Sequence, residues 1–253
     1  MLDITMMATL RPEIVDQTLT SFVQNLFHTT EDKRLIINID PVGDAISQKD
    51  VLAVAHKHFE DRVKVRCPKK ACFPTALKWC WSQVEAPYFF NLEDDWQLLP
   101  QLDLAEMYAI LDDCPWLAIL RLPKGPAFHA YCKQSASHKQ PYYVWNGRYF
   151  ACPATQIQRS SYYGSPSLIR SAWLPEVLPL LHTRFSTEKQ LLQQHKKRHP
   201  AMWLWEYGVY TKPSTPRTIV DIGTPWRHKR GIRKNSYDRF TTWLESSTGS
   251  PNS

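Results

Sequence analysis

Several familiar signatures are missing from this sequence of 253 residues. There is no run of about 18 apolar residues, which argues against a membrane-spanning helix. There is no basic-then-apolar leader, which argues against secretion. No internal repeat is present. Glycine is scarce, at 8 residues, and no glycine-rich basic loop follows the first predicted strand, which argues against a nucleotidyltransferase.

The spacing of cysteines and histidines does not indicate a zinc site. The six cysteines show no CxxC pair, so we expect free thiols in a reducing compartment, with the protein in the cytoplasm. His195 and His199 have helical i, i+4 spacing, but they lie in the basic run "QHKKRHP" without the acid of a zinc protease motif. A solvated helix face is therefore expected there rather than a zinc site.

Positive charge is abundant and unevenly distributed. The chain has 31 Lys and Arg against 24 Asp and Glu, a formal net charge of +7. The segment "WRHKRGIRKN" at 226–235 and the segment "HKKRH" at 195–199 are the densest basic stretches. Such density attracts phosphates of a nucleotide, a nucleic acid backbone or an anionic membrane, and charge alone does not choose among them.

The pattern of apolar residues predicts a single α/β domain over 1–253. Residues 1–100 alternate strand and helix, which predicts a mostly parallel central sheet flanked by helices. Residues 101–237 predict a mixed α+β half, with a hairpin around the Asn-Gly of "YYVWNGRYFAC" and helices over "SPSLIRSAWLPEVLPLL" and "STEKQLLQQHKKR". Residues 238–253 are expected to form a flexible tail.

Polar residues stand where three of the predicted strands end. Thr9 and Arg11 follow the first strand, Asp40 ends the second, and Glu93 to Asp95 follow the apolar run "YFFNL". Because the carboxyl ends of parallel strands form a ligand crevice, we expect these side chains to line one site. Adjacent carboxylates in a short loop suit a divalent cation, and the alternative is a solvated acidic corner.

The order of these motifs resembles that of the GT-A fold of nucleotide-sugar glycosyltransferases, including family-two-like and phage-type members. "MATLRP" and "NIDP" resemble the nucleotide-binding strand ends. "NLEDDW" resembles the DxD motif, with Glu93 in place of the first Asp. "VDIGTPWRHKRGIRK" is similar to a late segment of some members. The resemblance covers most of residues 3–235.

The resemblance implies roles for the nucleotide-binding half. Asp95 would bind a divalent cation, Mn²⁺ or Mg²⁺, and His228 would be a further metal ligand, although Asp221 occupies the place where other members have His. The implied nucleotide-binding residues are Thr9, Arg11, Asp40, Lys78, Glu93 and Asp94. A strand-end salt bridge or cap explains Arg11 and Asp40 nearly as well, and a lone helical Lys78 is commonly only exposed.

The resemblance also implies roles for residues in the second half. Trp226, Arg227 and Lys229 would close over the diphosphate, although a basic loop explains them equally. Glu188 would be the general base of an inverting transfer, which is the favoured stereochemistry, and helix capping is the alternative explanation. Tyr163, Gly164 and Ser165 would border the acceptor pocket, although an ordinary helix start would have the same pattern.

The expected activity is transfer of a hexose or pentose from a nucleotide-diphosphate sugar to a hydroxyl group. Among acceptors, the basic surface slightly favours DNA carrying a hydroxymethylated base, made accessible by base flipping. A lipid-linked or lipopolysaccharide sugar at an anionic membrane is the alternative acceptor. A nucleic-acid-binding module without catalysis would explain the charge, but it would not explain the polar strand ends.

Overall fold

The computed structural model describes residues 1–43, 47–124, 144–152, 166–184, 190–191, 204–215, 217–235 and 242–245. The first half contains the four strands β1 (Leu2–Leu10), β2 (Lys33–Gly43), β3 (Val63–Arg66) and β4 (Tyr88–Glu93). Three helices connect them: α1 (Pro12–Asn25), α2 (Gln48–Phe59) and α3 (Phe73–Ser82). The predicted strand–helix alternation of this half is confirmed.

The second half has a mixed composition, as predicted. Its strands are β5 (Trp96–Leu98), β6 (Leu117–Arg121), β7 (Val144–Trp145), β8 (Phe150–Cys152), β9 (Ser167–Arg170), β10 (Glu206–Val209), β11 (Ile219–Asp221), β12 (Ile232–Asn235) and β13 (Thr242–Glu245). Its described helices are α4 (Leu104–Asp113), α5 (Leu174–Val177) and α6 (Gly223–Lys229). None of the helices in the described part of the chain is long and apolar enough to span a bilayer.

Nine of the described strands form one sheet in the order β3-β2-β1-β4-β9-β6-β10-β8-β7. β1 to β4 are mutually parallel, and β6 and β10 are parallel to each other. β9 is antiparallel to both of its neighbours, β4 and β6. The carboxyl ends of β1 to β4, β6 and β10 therefore lie at one edge of the sheet, and this edge carries the predicted polar residues.

Apolar layers cover both faces of the sheet. On one face, Val15, Leu19 and Phe22 of α1 pack with residues of α2 and α4 against Ile4 and Met6 of β1. On the other face, the buried residues of α3 and α5 pack against β2, β4 and β9. Strands buried on both faces carry apolar residues on both of them, and in β2 the consecutive residues Leu35, Ile36 and Ile37 are all fully buried.

One predicted helix is wrong in its first part. In the segment "SPSLIRSAWLPEVLPLL", Ser167–Arg170 form β9, and helical structure begins only at Ser171, with 3-10 turns at Ser171–Trp173 and Leu178–Leu180 on either side of the α-helix Leu174–Val177. Leu168 and Ile169 point to opposite faces of the sheet and are both fully buried. β9 lies between β4 and β6 and pairs with both, which buries both side chains. An amphipathic surface helix would bury only one of its faces, so tertiary packing overrides the local pattern here.

Three further predictions concern the hairpin, the tail and the last helix of the second half. The hairpin predicted around Asn146 and Gly147 is confirmed, because β7 pairs antiparallel with β8 on either side of this turn. Part of the predicted flexible tail is ordered as β13, which pairs with β12. The helix predicted over "STEKQLLQQHKKR" lies almost entirely outside the described residues.

Asp3 organises the opposite, amino-terminal edge of the sheet. Its fully buried carboxylate accepts hydrogen bonds from Arg34 at 2.9 and 3.1 Å and from the backbone N–H groups of Glu85 and Ala86 at 2.7 and 3.0 Å. Burial alone would raise the pKa of Asp3, but these donors outweigh it and lower the pKa below its ordinary value of 3.8. Asp3 thereby joins β1 and β2 to the segment that leads into β4.

We predict that Asp3→Asn lowers the free energy of unfolding by roughly 2–4 kcal/mol near neutral pH, because Arg34 loses its buried partner. A lowered pKa in the folded state stabilises the fold above 3.8, and this contribution is lost as the pH falls through the folded-state pKa. The difference in free energy of unfolding between the parental protein and the variant should therefore be smaller near pH 3, which lies roughly below the ordinary carboxyl pKa. Urea titrations at both pH values measure this difference.

The matched control is Asp32→Asn, at a carboxylate that pairs with Arg62 while 66% exposed. Its cost should stay within about 1 kcal/mol at either pH, because exposed ion pairs contribute little. A deficit of Asp3→Asn that is the same at both pH values would contradict the assignment.

Candidate active site

The site lies where β1 and β4 end side by side. β1 pairs parallel with β4 up to Met7 and Glu93, so the residues that follow each strand emerge next to each other. β5 then pairs antiparallel with β11, and Trp96 is opposite Asp221 in this pairing. The β5–β11 pairing brings the start of α6 against the acidic residues, and the site is therefore assembled from both halves of the chain.

Asp94 is the buried structural acid of the group. Its Oδ2 accepts hydrogen bonds from the backbone N–H and the hydroxyl of Thr9, at 2.8 and 2.9 Å. Its Oδ1 accepts a hydrogen bond from Nη2 of Arg11 at 2.5 Å, and its backbone carbonyl accepts one from Thr18 at 2.7 Å. Four hydrogen bonds thus fix Asp94 against the end of β1 and against α1, which is more than a solvated corner would show.

Arg11 lies between the two aspartates. Its side chain is 2% exposed, and Nη2 contacts Asp94 and, at 3.2 Å, Oδ2 of Asp95. Nε donates a hydrogen bond to the Thr9 hydroxyl at 2.8 Å, which fixes the plane of the guanidinium. Burial alone would lower the pKa of Arg11, but the charges of Asp94 and Asp95 outweigh it and raise the pKa. The guanidinium is therefore a permanent buried cation that offsets part of the charge of the acidic pair.

Asp95 is the less deeply buried of the two aspartates. Its side chain is 17% exposed, and Oδ2 lies 3.6 Å from Nη1 of Arg227 on α6. Burial raises the pKa of Asp95, and the negative charges of Asp94 and Asp221 raise it further, against the lowering effect of Arg11. The raised pKa means that the surroundings of Asp95 disfavour its charged form, an effect that a bound cation would offset.

Gly223 allows α6 to approach Asp95. A Cβ atom at this position would lie 2.2 Å from Oδ2 of Asp95 and 2.7 Å from Nη1 of Arg11. Asp221 holds the start of this helix, because its carboxylate accepts hydrogen bonds from the backbone N–H and the hydroxyl of Thr224 at 2.8 and 2.9 Å. A residue with any side chain at 223 would displace the carboxylate or the guanidinium.

Trp226 anchors α6 to the start of α1. Its ring lies between two guanidinium groups, with the Cζ atom of Arg11 5.5 Å and that of Arg230 4.2 Å from the ring centroid. Its indole N–H donates a hydrogen bond to Glu13, which also accepts one from Arg230 at 2.7 Å. Lys229 and His228 are exposed on the same short helix. The segment predicted as a diphosphate lid is therefore a helix held next to the acidic residues.

The remaining predicted nucleotide-binding residues lie in different surroundings. Glu93 accepts a hydrogen bond from the indole N–H of Trp96 at 3.2 Å. Asp40 lies at the end of β2 and accepts hydrogen bonds from Asn38 at 2.8 Å and from the backbone N–H of Cys72 at 3.0 Å. The ammonium of Lys78 donates a hydrogen bond to the carbonyl of Leu181 at 2.9 Å.

Four of the predicted site residues, Tyr163, Gly164, Ser165 and Glu188, lie outside the described residues. Within the described ranges, no group of three or more His, Cys, Asp or Glu side chains is arranged to hold a metal ion by itself. The metal roles predicted for Asp95 and His228 therefore remain predictions.

Sequence reasoning missed two residues that shape the site. Gly223 could have been noticed, because it is one of only 8 glycines and it lies inside the late segment "VDIGTPWRHKRGIRK". Glu13 carries no sequence signal, because its contact with Trp226 joins residues 213 positions apart.

Comparisons with solved structures agree with this geometry. No family model and no curated protein matches the sequence. The structure of Staphylococcus aureus TarS residues 1–349 has a TM-score of 0.58 at 13% identity, covering 86% of this chain and 59% of TarS 1–349. Its complex with UDP-GlcNAc has a TM-score of 0.56 at 13% identity, covering 86% of this chain and 57% of that one.

A second protein shows the same likeness. The mannosyltransferase PcManGT from Pyrobaculum calidifontis, in complex with GDP-Man and Mn²⁺, has a TM-score of 0.55 at 10% identity, covering 83% of this chain and 55% of its own. The chain thus spans less than two thirds of the length of these structures. With its helix-flanked, mostly parallel sheet, it has the GT-A-like fold of nucleotide-sugar glycosyltransferases.

Proposed function

We propose that the protein is a glycosyltransferase that moves a hexose or pentose from a nucleotide-diphosphate sugar to a hydroxyl group. The observation that carries this proposal is the convergence of Arg11, Asp95 and Arg227 at the carboxyl edge of the parallel strands. The leaving nucleoside diphosphate carries concentrated negative charge, and fixed cationic groups at this edge would stabilise that charge. The likeness to structures that bind UDP-GlcNAc and GDP-Man supports the same donor class.

The chemistry of Asp95 fits a divalent cation, Mn²⁺ or Mg²⁺. Mg²⁺ is commonly held by one or two carboxylates together with substrate phosphates rather than by a cage of protein ligands. Asp95 supplies one partly exposed carboxylate, and the negative charge of Asp94 and Asp221 around it favours a cation. A bound cation would neutralise the departing diphosphate. His228, exposed on α6, is the further ligand that we propose.

The chain's own residues would hold and orient the donor. Arg11 and Asp94 fix the position of Asp95, and Thr9 fixes Arg11. Arg227 lies close enough to Asp95 to bind the diphosphate beside it, with Trp226 and Lys229 on the same helix. For Asp40, Lys78 and Glu93 we propose contacts to the base and ribose, which would add to the protein contacts that they already make.

The acceptor end of the site follows from the sequence resemblance. We propose Glu188 as the base that takes the acceptor hydroxyl proton in an inverting transfer, and Tyr163, Gly164 and Ser165 as the border of the acceptor pocket. DNA carrying a hydroxymethylated base is the proposed acceptor. The exposed Lys229 on α6 supports it, because it places positive charge beside the proposed donor site.

We predict that Asp95→Asn lowers Mn²⁺-dependent hydrolysis of nucleotide sugars at least roughly 100-fold, because the carboxylate that favours the cation is removed. Release of the nucleoside diphosphate is measured across a panel of nucleotide sugars. Asp113→Asn is the control, since Asp113 also pairs with an arginine but is 65% exposed on α4. Turnover at the parental rate in Asp95→Asn would contradict the metal assignment.

Gly223→Ala tests the close approach of α6 to Asp95 and Arg11, without changing either of these residues. The added methyl group would displace Asp95 or Arg11, so we expect about 1–3 kcal/mol of lost stability and a weaker donor affinity. Pro225→Ala, at an exposed position of the same helix, should retain donor affinity. Thermal shift with and without the nucleotide sugar separates the two effects, because a ligand of the folded state raises the melting temperature. An unchanged ligand-induced shift in Gly223→Ala would contradict the geometry.

The acceptor is tested by salt-dependent DNA binding. We predict that Lys229→Gln, at an exposed position of α6, reduces the slope of log affinity against log salt by about 1, because it removes one phosphate contact. Sugar transfer should require the hydroxymethylated base in the duplex. Transfer to a lipid-linked sugar on anionic vesicles, with none to DNA, would support the alternative acceptor. Salt-dependent DNA binding without any donor turnover would instead support a binding module.

A further inference from the structure

A basic surface lies along β3, the outermost strand of the nine-stranded sheet, and along the loop that follows it. Residues 62–84 contain six Lys or Arg and no Asp or Glu. The six positive charges of this one stretch nearly equal the formal net charge of +7 of the whole chain. Only Lys78 among them has a place in the proposed donor site, which therefore leaves five of these basic residues without a function.

Three lysines of this surface have no protein partner among the described residues. They are Lys64, Lys69 and Lys70, which we call the β3 lysines. Within the part of the chain that the structure describes, their ammonium groups form no ion pair and no hydrogen bond. Arg62 and Arg66, by contrast, each donate a hydrogen bond to a protein oxygen at 3.1 Å. The β3 lysines thus carry positive charge that no described carboxylate contacts.

Strand geometry places Lys64 at the margin of the sheet. Val63 packs against the core on the face that α1 and α2 cover. Because successive side chains of a strand point to opposite faces, Lys64 points to the other face. β3 pairs only with β2, so this lysine lies next to an open edge where a ligand can approach.

The loop that carries Lys69 and Lys70 is fixed on both sides of this pair. The side-chain amide of Gln48 donates a hydrogen bond to the carbonyl of Pro68 at 3.1 Å. On the other side, the N–H of Cys72 donates a hydrogen bond to a carboxylate oxygen at the end of β2 at 3.0 Å. The two exposed lysines therefore extend from an ordered loop, which reduces the entropy lost when they bind a ligand.

The β3 lysines lie at a defined distance from the acidic residues that follow β4. β1 to β4 are mutually parallel, so β3 ends at the same edge of the sheet as β4. Three strand spacings of about 4.8 Å separate these two strands, which places their ends roughly 14 Å apart. Stacked base pairs follow one another at about 3.4 Å, so this distance corresponds to roughly four base pairs of DNA.

The composition of this surface favours a phosphate backbone over a membrane. Its exposed large apolar residues are Val65 and Phe73, at only 38% and 36% exposure, whereas a membrane-binding surface inserts apolar side chains among the lipid headgroups. A charged residue on an edge strand also prevents pairing with other strands. That protective role would explain Lys64, but it would not explain Lys69 and Lys70, which follow the strand.

We propose that the β3 lysines bind the phosphate backbone of a DNA duplex, roughly four base pairs from the base that receives the sugar. Ammonium groups bind phosphates as point charges and release counterions from the duplex, so this contribution is independent of sequence and decreases with salt. The description of this DNA as the sugar acceptor rests on the proposed function.

The experiment measures DNA affinity at several salt concentrations. A labelled duplex of about 20 base pairs with one central hydroxymethylated base is titrated with the full chain and with Lys69→Gln/Lys70→Gln. We expect the slope of log affinity against log salt to fall by about 2, and the affinity at about 0.1 M salt to fall roughly 10- to 100-fold. Lys64→Gln should lower the slope by about 1. Hydrolysis of the nucleotide sugar should stay unchanged in both variants.

Lys33→Gln/Lys57→Gln is the matched control, because it removes the same number of positive charges at the opposite edge of the sheet. Lys33 begins β2, and Lys57 lies in the last turn of α2. Their ammonium groups already have protein partners, the carbonyl of Thr30 at 2.8 Å and the carboxylate of Asp16 at 2.9 Å. The salt slope of this control should equal that of the parental protein.

Duplex length tests the distance. Two further duplexes end about three base pairs from the modified base, one on either side. The duplex shortened on the side that reaches β3 should bind the parental protein and Lys69→Gln/Lys70→Gln with equal slopes, whereas the other duplex should retain the difference. A difference retained with both shortened duplexes would overturn the placement of the phosphates.

The outcomes separate this inference from the proposed function. An unchanged slope in Lys69→Gln/Lys70→Gln, or an equal decrease in the control, would overturn the role of the β3 lysines and leave the transferase proposal intact. Weaker binding of the variant to anionic vesicles, with DNA affinity unchanged, would overturn DNA as the partner. A reduced slope without donor turnover in the parental protein would support the DNA-binding surface and overturn the proposed function.

Discussion

The site depends on one buried cation between two neighbouring carboxylates. Asp94 and Asp95 are adjacent in sequence and largely shielded from water, so their mutual repulsion would be large without a partner. Arg11 supplies that partner, with contacts of 2.5 and 3.2 Å to the two acids. Because buried ion pairs contribute little net stability, such a cluster is better explained by a role in binding than by a role in folding.

This ion pair also connects distant parts of the chain. Arg11 follows β1, the acids follow β4, and Arg227 belongs to α6, whose start is brought in by the β5–β11 pairing. Gly223 is the contact point, because only a hydrogen fits between the helix and the pair. Residues of the first half that we propose to bind the donor therefore adjoin basic residues of the second half.

Periodicity was sufficient for the first hundred residues, because parallel strands covered on both faces have continuous apolar runs and amphipathic helices between them. The same patterns placed Arg11, Asp40 and the acidic residues at one edge. The pattern failed for Leu168 and Ile169, since β9 is defined by its neighbours β4 and β6 rather than by its own propensity. The pattern also gave no sign of the hydrogen bond between Asn38 and Arg66, because these residues belong to different strands.

The sequence by itself determined the alternating first half, the chemical types at the strand ends and the basic character of the late segment. Each of these features follows from the local composition and from the spacing of residues along the chain. The tertiary structure decided that Asp94 is more deeply buried than Asp95, and it brought Glu13 to Trp226 and Gly223 to Asp95. The physical reason is that burial and charge pairing depend on contacts between residues far apart in the chain, and no local pattern records those contacts.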